Sequence, residues 1–293
     1  MDNIIIINNL NTWKCIGIDM NELLKILPRY LRMVIGYLRM LIGSFFIYVS
    51  HNLPIPPISI GPNRVRKVSF SIEKTESVSV ISYNIHSGRD MLYRDSIDKM
   101  IDVIETCRPL VLCLQEINSE LFTHTKNSLG YRYGYHAHNK GILSDHELMD
   151  THIHYFNHCG IYSDTSLLRA SIKKGSDTLT VVNTQLSFDI TLYKQCYELE
   201  ELRNYISDKI MDKNKLVVVG DFNIANININ TYYRYTITEM ISMLEELELD
   251  HTYPSCCPVL PLDKCFFRNI EIRNKKTIDT KNSWHRPISI ELV

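Results

Sequence analysis

VVVGDFNI, residues 217–224, runs from an apolar, β-branched stretch into a glycine, a carboxylate and an amide within one short segment. Four to five apolar residues ended by polar ones read as a strand buried on both faces, and α/β folds gather functional side chains at such strand ends. Four more stretches share the pattern: VSVISYN (78–84), LVLCL (110–114), TLTVVNTQL (178–186) and PISIEL (287–292). Each carries polar residues at or beside its end: Asn84, Gln115 with Glu116, Gln185, Asp221 with Asn223, and His285 ahead of the last. A lone polar residue there is ordinarily a turn former, so the signal lies in their recurrence.

Helical spacing falls between the strands. Ile97, Met100, Ile101 and Ile104 mark one helix, which Pro109 ends, and Leu192, Cys196, Leu199, Leu202, Ile206 and Ile210 mark a second. A third is expected from the capping box Thr236-x-x-Glu239, burying Ile237, Met240, Ile241, Leu244 and Leu247. No internal repeat is visible, and residues 66–293 read as one α/β domain.

Ahead of it, residues 1–65 form a hydrophobic segment and a Pro-rich linker. LRMVIGYLRMLIGSFFIYV (31–49) is long enough for a transmembrane helix of about 20 residues, but it contains Arg32 and Arg39. A mid-span Arg costs roughly 2.5–3.5 kcal/mol, which the surrounding apolar residues offset in sum. A membrane anchor and an amphipathic helix lying on a membrane or on the domain therefore both stay open, as do cytoplasmic and membrane-associated locations. Pro54, Pro56, Pro57 and Pro62 then favour an extended spacer.

The net charge of −1 excludes a global positive field for nucleic acid, so any polyanion site is local. The eight cysteines lack C-x-x-C spacing and read as reduced thiols. The histidines between His124 and His158 lack zincin-like spacing and do not read as a metal site. Tyr131, Tyr133 and Tyr135 alternate like a strand, with base stacking as the alternative.

The strand-end residues supply carboxylates, amides and one imidazole, with no thiol or serine arranged as a nucleophile. Such oxygen-rich sets suit hard divalent ions and phosphoester chemistry. SYNIHSG (82–88), PLVLCLQEI (109–117), GILS (141–144), LLRASI (167–172), TVVNTQLS (180–187), VVVGDFNI (217–224), PLDKCFF (261–267) and SWHRPISI (283–290) then occur in the order of the endonuclease/exonuclease/phosphatase superfamily, which the chain resembles over about residues 78–292. The resemblance implies a deoxyribonuclease I-like four-layer α/β sandwich, two packed β-sheets with outer helices, and a site at one end of the sheets. It implies Mg²⁺ or Mn²⁺ as cofactor and a phosphoester ligand: nucleic acid, phospholipid or inositol phosphate. Glu116 resembles the family's chief metal ligand, and Asn84 the Asn at metal-bound water or phosphate. Asp221 matches the Asp that orients or deprotonates water, and Asn223 the amide that holds phosphate. Asp263 and His285 match a conserved-block Asp and the terminal His.

Two positions depart from the family pattern. Gln185 stands where the family has His and cannot transfer a proton. Trp284 stands where the family has Asp, as metal ligand or His orienter. Loss of a His-orienting carboxylate costs on the order of 10⁴ in turnover in serine proteases. The expectation is thus a slowed hydrolase or, alternatively, an inactive binding module. On the anchor reading of 31–49, carbonate extraction leaves the full chain with the membrane while a chain starting near Arg66 is released; release of both excludes an anchor.

Overall fold

The computed structural model describes residues 78–157, 165–175, 177–188, 193–210, 212–224, 240 and 242–293. The expected helix over 31–49, the linker and the Thr236 capping box lie outside them. Among the described residues, no helix is long and apolar enough to cross a membrane.

The first sheet has the order β11-β12-β1-β2-β4-β3: β11 (Ile272–Thr277), β12 (Ile288–Leu292), β1 (Val78–Asn84), β2 (Val111–Gln115), β4 (Lys140–Ser144) and β3 (Tyr133–Ala137). The second has the order β5-β6-β7-β8-β10-β9: β5 (Leu148–Tyr155), β6 (Ser166–Lys174), β7 (Asp177–Gln185), β8 (Lys215–Asp221), β10 (Asp263–Arg268) and β9 (Glu245–Glu246). Each of the expected strands is found, within a residue or so at its ends. The Tyr-rich stretch is also a strand from Tyr133, with Tyr131 buried and its hydroxyl donating to the Pro109 carbonyl (2.6 Å).

Strand alternation divides the apolar residues into layers. Val80, Val111, Cys113, Leu168, Val181, Val217, Val219 and Ile290 meet between the sheets. The other face of the first sheet, with Ile81, Tyr83, Leu112 and Leu114, takes Ile97, Met100, Ile101 and Ile104 of α1 (Ile97–Cys107) and Phe122 and Leu129 of α2 (Ser119–Leu129). The other face of the second, with Val182, Leu216 and Val218, takes Cys196, Leu199, Leu202 and Ile206 of α3 (Tyr193–Lys209). This is the four-layer α/β sandwich. Of the expected third helix, the described Met240 and Leu244 are buried against the same layer.

The same alternation sets the polar residues between the sheets. Counting in twos along the inner face gives Val80, Ser82, Asn84 on β1; Val111, Cys113, Gln115 on β2; Val181, Asn183, Gln185 on β7; and Val217, Val219, Asp221 on β8. Parallel pairing sets Asn84 beside Gln115 and Gln185 beside Asp221, and antiparallel pairing sets Asp263 beside Asp221. Four apolar strands thereby deliver their last inward residues, and β10 its first, to one end of the sandwich. At β8 this requires a glycine: Gly220 has φ +151°, and a Cβ there would lie 1.9 Å from the Thr184 carbonyl oxygen.

Just behind that end, Gln115 Nε2 donates across the sheets to Asn183 Oδ1 (2.7 Å) and to Ser82 Oγ (3.0 Å). Asn183 Nδ2 donates in turn to the Leu114 and Gly141 carbonyls (2.9 and 3.0 Å). Both side chains are fully buried. Asn183→Ala leaves buried polar groups unpaired and should cost about 2 kcal/mol. Urea unfolding should register that loss, with a Tm lower by roughly 4–8 °C for a domain of this size.

Candidate active site

The end of β2 shows how the chain turns outward. Gln115 continues the inward face, but Glu116 takes a left-handed φ of +54° and leaves the strand. Its partner turn follows β1, where His86 and Ser87 have φ +46° and +54°. Backbone bonds weld the two turns: Ile85 N donates to the Gln115 carbonyl (3.1 Å) and Ser87 N to the Glu116 carbonyl (2.9 Å). Non-glycine residues held there cost on the order of 1–3 kcal/mol each and cluster at functional sites.

The side chains form one connected network. Gln185 Nε2 donates to Glu116 Oε1 (2.9 Å), and Asn84 Nδ2 donates both to Glu116 Oε1 and to Asp221 Oδ2 (each 3.0 Å). Asp221 Oδ1 accepts from Asn223 N (3.0 Å) and Oδ2 from Asn223 Nδ2 (3.2 Å). His285 Nε2 lies 3.8 Å from Asp221 Oδ2, and its Nδ1 is 2.8 Å from Asp263 Oδ2. All seven residues singled out in the sequence are therefore brought together: Asn84, Glu116, Gln185, Asp221, Asn223, Asp263 and His285.

Three details correct the roles expected of them. Trp284 does not leave His285 without an orienting carboxylate, because Asp263, from β10, holds the imidazole. Trp284 instead donates its indole N–H to the Asp90 carbonyl (3.1 Å) and packs on Tyr93, Tyr253 and His86. Asn223 Nδ2 uses both hydrogens inside the protein, on Leu186 O (2.9 Å) and Asp221, so holding phosphate requires it to release one. Sequence reasoning passed over Gln115 and Asn183 as a structural pair; an inward-face count in twos separates Gln115 from its neighbour Glu116.

Electrostatics sorts the titratable groups. Burial pushes Asp221 up to about 7, with Asp263 and Glu116 adding to the rise and His285 opposing it. Burial alone would lower His285, but Asp263 and Asp221 outweigh it and raise the imidazole to about 9. Glu116 also feels a burial penalty, yet the hydrogen bond and positive field of His86 and the Asn84 amide bring its carboxyl down to about 2. One carboxylate is thus held firmly ionised, and another sits near neutrality, where a general base works best.

The donor set fits a hard divalent cation. The cleft gathers three carboxylates, and two buried acceptors, Gln185 Oε1 and Asp263 Oδ1, meet no donor. Asp221, Asp263 and His285 also place ligand atoms within 4.8 Å of one another, although their mutual contacts already occupy part of that capacity. Among the described residues no other such group occurs.

The Endonuclease/Exonuclease/phosphatase family model matches residues 81–278, and the chain belongs to that family. Solved structures with the same fold include humanized D. rerio TDP2 with 14 mutations, at 13% identity and TM-score 0.63, covering 75% of this chain and 100% of that one. An endonuclease/exonuclease/phosphatase from Beutenbergia cavernae aligns at 15% identity and TM-score 0.62, covering 74% and 71% of the two chains. The mannosyl-6-phosphatase Bt3783 of Bacteroides thetaiotaomicron aligns at 13% identity and TM-score 0.60, covering 74% and 99%. No curated protein matches the chain.

His285 gives a direct check. Its pKa is raised, so its stabilising contribution is full below 6.5 and lost as pH rises through about 9. NMR titration should place the His285 ring near 9, and Asp263→Asn should move it down; a ring titrating at its ordinary value in both proteins would break the pairing.

Proposed function

We propose that the chain is a divalent-metal-dependent phosphoester hydrolase, with Asp221 as the base that takes the proton of the attacking water. Family membership and the connected Glu116–Asn84–Asp221–His285–Asp263 network support the reading. Glu116 and Asn84 would hold the metal, Mg²⁺ or Mn²⁺, with the orphaned Gln185 Oε1 beside them. When bound, such an ion polarises the phosphoryl oxygens and offsets the negative charge of the transition state.

The remaining work falls to the chain's own residues. Asn84 keeps Asp221 aimed by bonding its Oδ2, and Asn223 by bonding both its oxygens, Oδ2 through Nδ2 and Oδ1 through the backbone N. Asp221 accepts the proton as the water oxygen bonds to phosphorus and the ester P–O bond breaks. His285, held cationic by Asp263, has its Nε2–H left for a nonbridging phosphate oxygen. Gln185 keeps one amide hydrogen beyond the one given to Glu116 and can donate it to phosphate, though it cannot shuttle a proton.

The substrate class stays within phosphoesters. One relative is described with a single-strand DNA product and another as a mannosyl-6-phosphatase, so nucleic acid and sugar phosphate both belong on the panel. Phospholipid and inositol phosphate complete it, the phospholipid arm carrying added weight if 31–49 meets a membrane. Because Asp263 orients His285, the inactive-module reading rests on Gln185 in place of a proton-transferring histidine and on a carboxylate missing at 284 as a metal ligand.

The expected outcome is Mg²⁺- or Mn²⁺-dependent turnover by wild type on at least one of DNA, RNA, a sugar phosphate, sphingomyelin or inositol phosphates. Asp221→Ala should lower it by roughly 10²–10⁴-fold, and Glu116→Ala should abolish it. If neither wild type nor the Gln185→His, Trp284→Asp double variant cleaves any of them, the binding-module reading holds instead.

A further inference from the structure

Glu116 has two oxygens, and their surroundings differ. Oε1 accepts both amides, from Asn84 and Gln185, while Oε2 faces the His86 ring, with Nδ1 at 3.0 Å. His86 is neither remote nor loosely placed. Its backbone N donates to Asn84 Oδ1 (3.0 Å), and the next residue is bonded to the Glu116 carbonyl. Its ring lies 4.9 Å from the Trp284 ring, tilted by 42°, and 5.8 Å edge-on from Tyr93. Trp284 is itself anchored by its N–H on Asp90 and by Tyr253 stacked at 6.3 Å. An imidazole on the metal-facing carboxylate, fixed on its far side by an aromatic wall, has the arrangement of a ligand and its supporting shell.

We propose that His86 Nδ1 is a nitrogen donor to the metal held by Glu116, oriented by Trp284, so that the site prefers first-row transition ions to Mg²⁺. The inference rests on the metal-dependent hydrolase reading above. The spacing is right: adjacent donors in an octahedral shell with bonds of about 2.1 Å stand about 3.0 Å apart. The same two atoms can therefore share a proton in the free protein or an ion in the loaded one. Entry of the ion requires the unprotonated Nδ1, so its proton passes to solvent or resides on Nε2 of the neutral ring.

The chemistry sets the selectivity. Carboxylate, carbonyl and water oxygens suit Mg²⁺, whereas imidazole nitrogen favours transition ions in the rising order Mn²⁺, Co²⁺ and then the later metals. A chain with a carboxylate at position 284 would add a hard oxygen to this side of the cleft; this chain has an indole there and a nitrogen ring at 86. Trp284 is then a positioning residue, and His86 is the ligand.

The test uses metal binding, without turnover. Mn²⁺ titrated into the full chain should bind, and pulsed EPR of the complex should show coupling to a ¹⁴N nucleus. Coupling should persist in His285→Gln, vanish in His86→Ala, and weaken with Trp284→Ala, whose Mn²⁺ affinity should fall by roughly 10-fold or more. Competition should show Co²⁺ binding more tightly than Mn²⁺ and both more tightly than Mg²⁺, with the spread compressed in His86→Ala. A complex without ¹⁴N coupling, or one whose coupling is lost in His285→Gln and kept in His86→Ala, overturns the proposal. The wild-type and His285→Gln spectra decide it even if His86→Ala does not fold. If Glu116→Gln leaves Mn²⁺ affinity unchanged, the metal-dependent reading itself fails; if Glu116 matters and His86 does not, only the present inference fails.

Discussion

The 2.7 Å hydrogen bond from Gln115 Nε2 to Asn183 Oδ1 joins the two sheets one step behind the end that carries the candidate site. Apolar packing between sheets is non-directional and tolerates sliding, whereas a hydrogen bond between two fully buried amides admits one register. With that register set, Asn84 and Glu116 from the first sheet and Gln185 and Asp221 from the second come within bonding distance. The bonds from Asn183 to the Leu114 and Gly141 carbonyls tie the same point to β2 and β4. The site is therefore built on the strand-end residues Asn84, Gln185, Asp221 and Asp263 and on Glu116, Asn223 and His285 in the segments next to strand ends, and its geometry follows from the pairing of the core.

Gathering Glu116, Asp221 and Asp263 in a buried cleft is costly unless the charges are answered. Asn84 answers two of them without adding charge, since its amide nitrogen carries two hydrogens and gives one to each of Glu116 and Asp221. An aspartate there would remove both donors and add another negative charge. His285 answers Asp263 and faces Asp221 as well, and Asp263 keeps it cationic. The result is a gradient across a few ångströms, from the firmly ionised Glu116 to an Asp221 whose proton is shared near neutrality. The raised Asp221 follows from burial among carboxylates, a state that apolar packing elsewhere in the sandwich must sustain.

Most of this was legible in the sequence, for a physical reason. A strand buried on both faces cannot hide a polar side chain cheaply, so Asn84, Gln185 and Asp221 stand out against their apolar neighbours. The strands themselves were legible because β-branched runs have few other uses. Pairings between distant segments were not. Asp263 and His285 are 22 residues apart, one opening β10 of the second sheet and the other just ahead of β12 of the first, and no local pattern specifies that they meet. Counting in twos separates Gln115 from Glu116, but it does not say that Glu116 is the one that reaches the site: its left-handed turn is held by the backbone bonds that dock it onto the β1 turn.

The position of Trp284 shows what separates a substitution from a lesion. Judged as the loss of an Asp, it removes a carboxylate and suggests an untethered histidine; judged by its contacts, it leaves His285 tethered and changes the opposite side of the cleft. Its indole N–H reaches the Asp90 carbonyl, and the Asp90 carboxylate in turn gathers Leu92 N, Arg94 N and Arg94 Nε. The loop after β1, which carries His86, is thereby tied to the Trp284 ring. A carboxylate at 284 could neither pack against Tyr253 and Tyr93 nor form the flat wall behind an imidazole. The exchange thus gives up a carboxylate for packing on the His86 ring, and its effect is concentrated where Glu116 Oε2 faces His86.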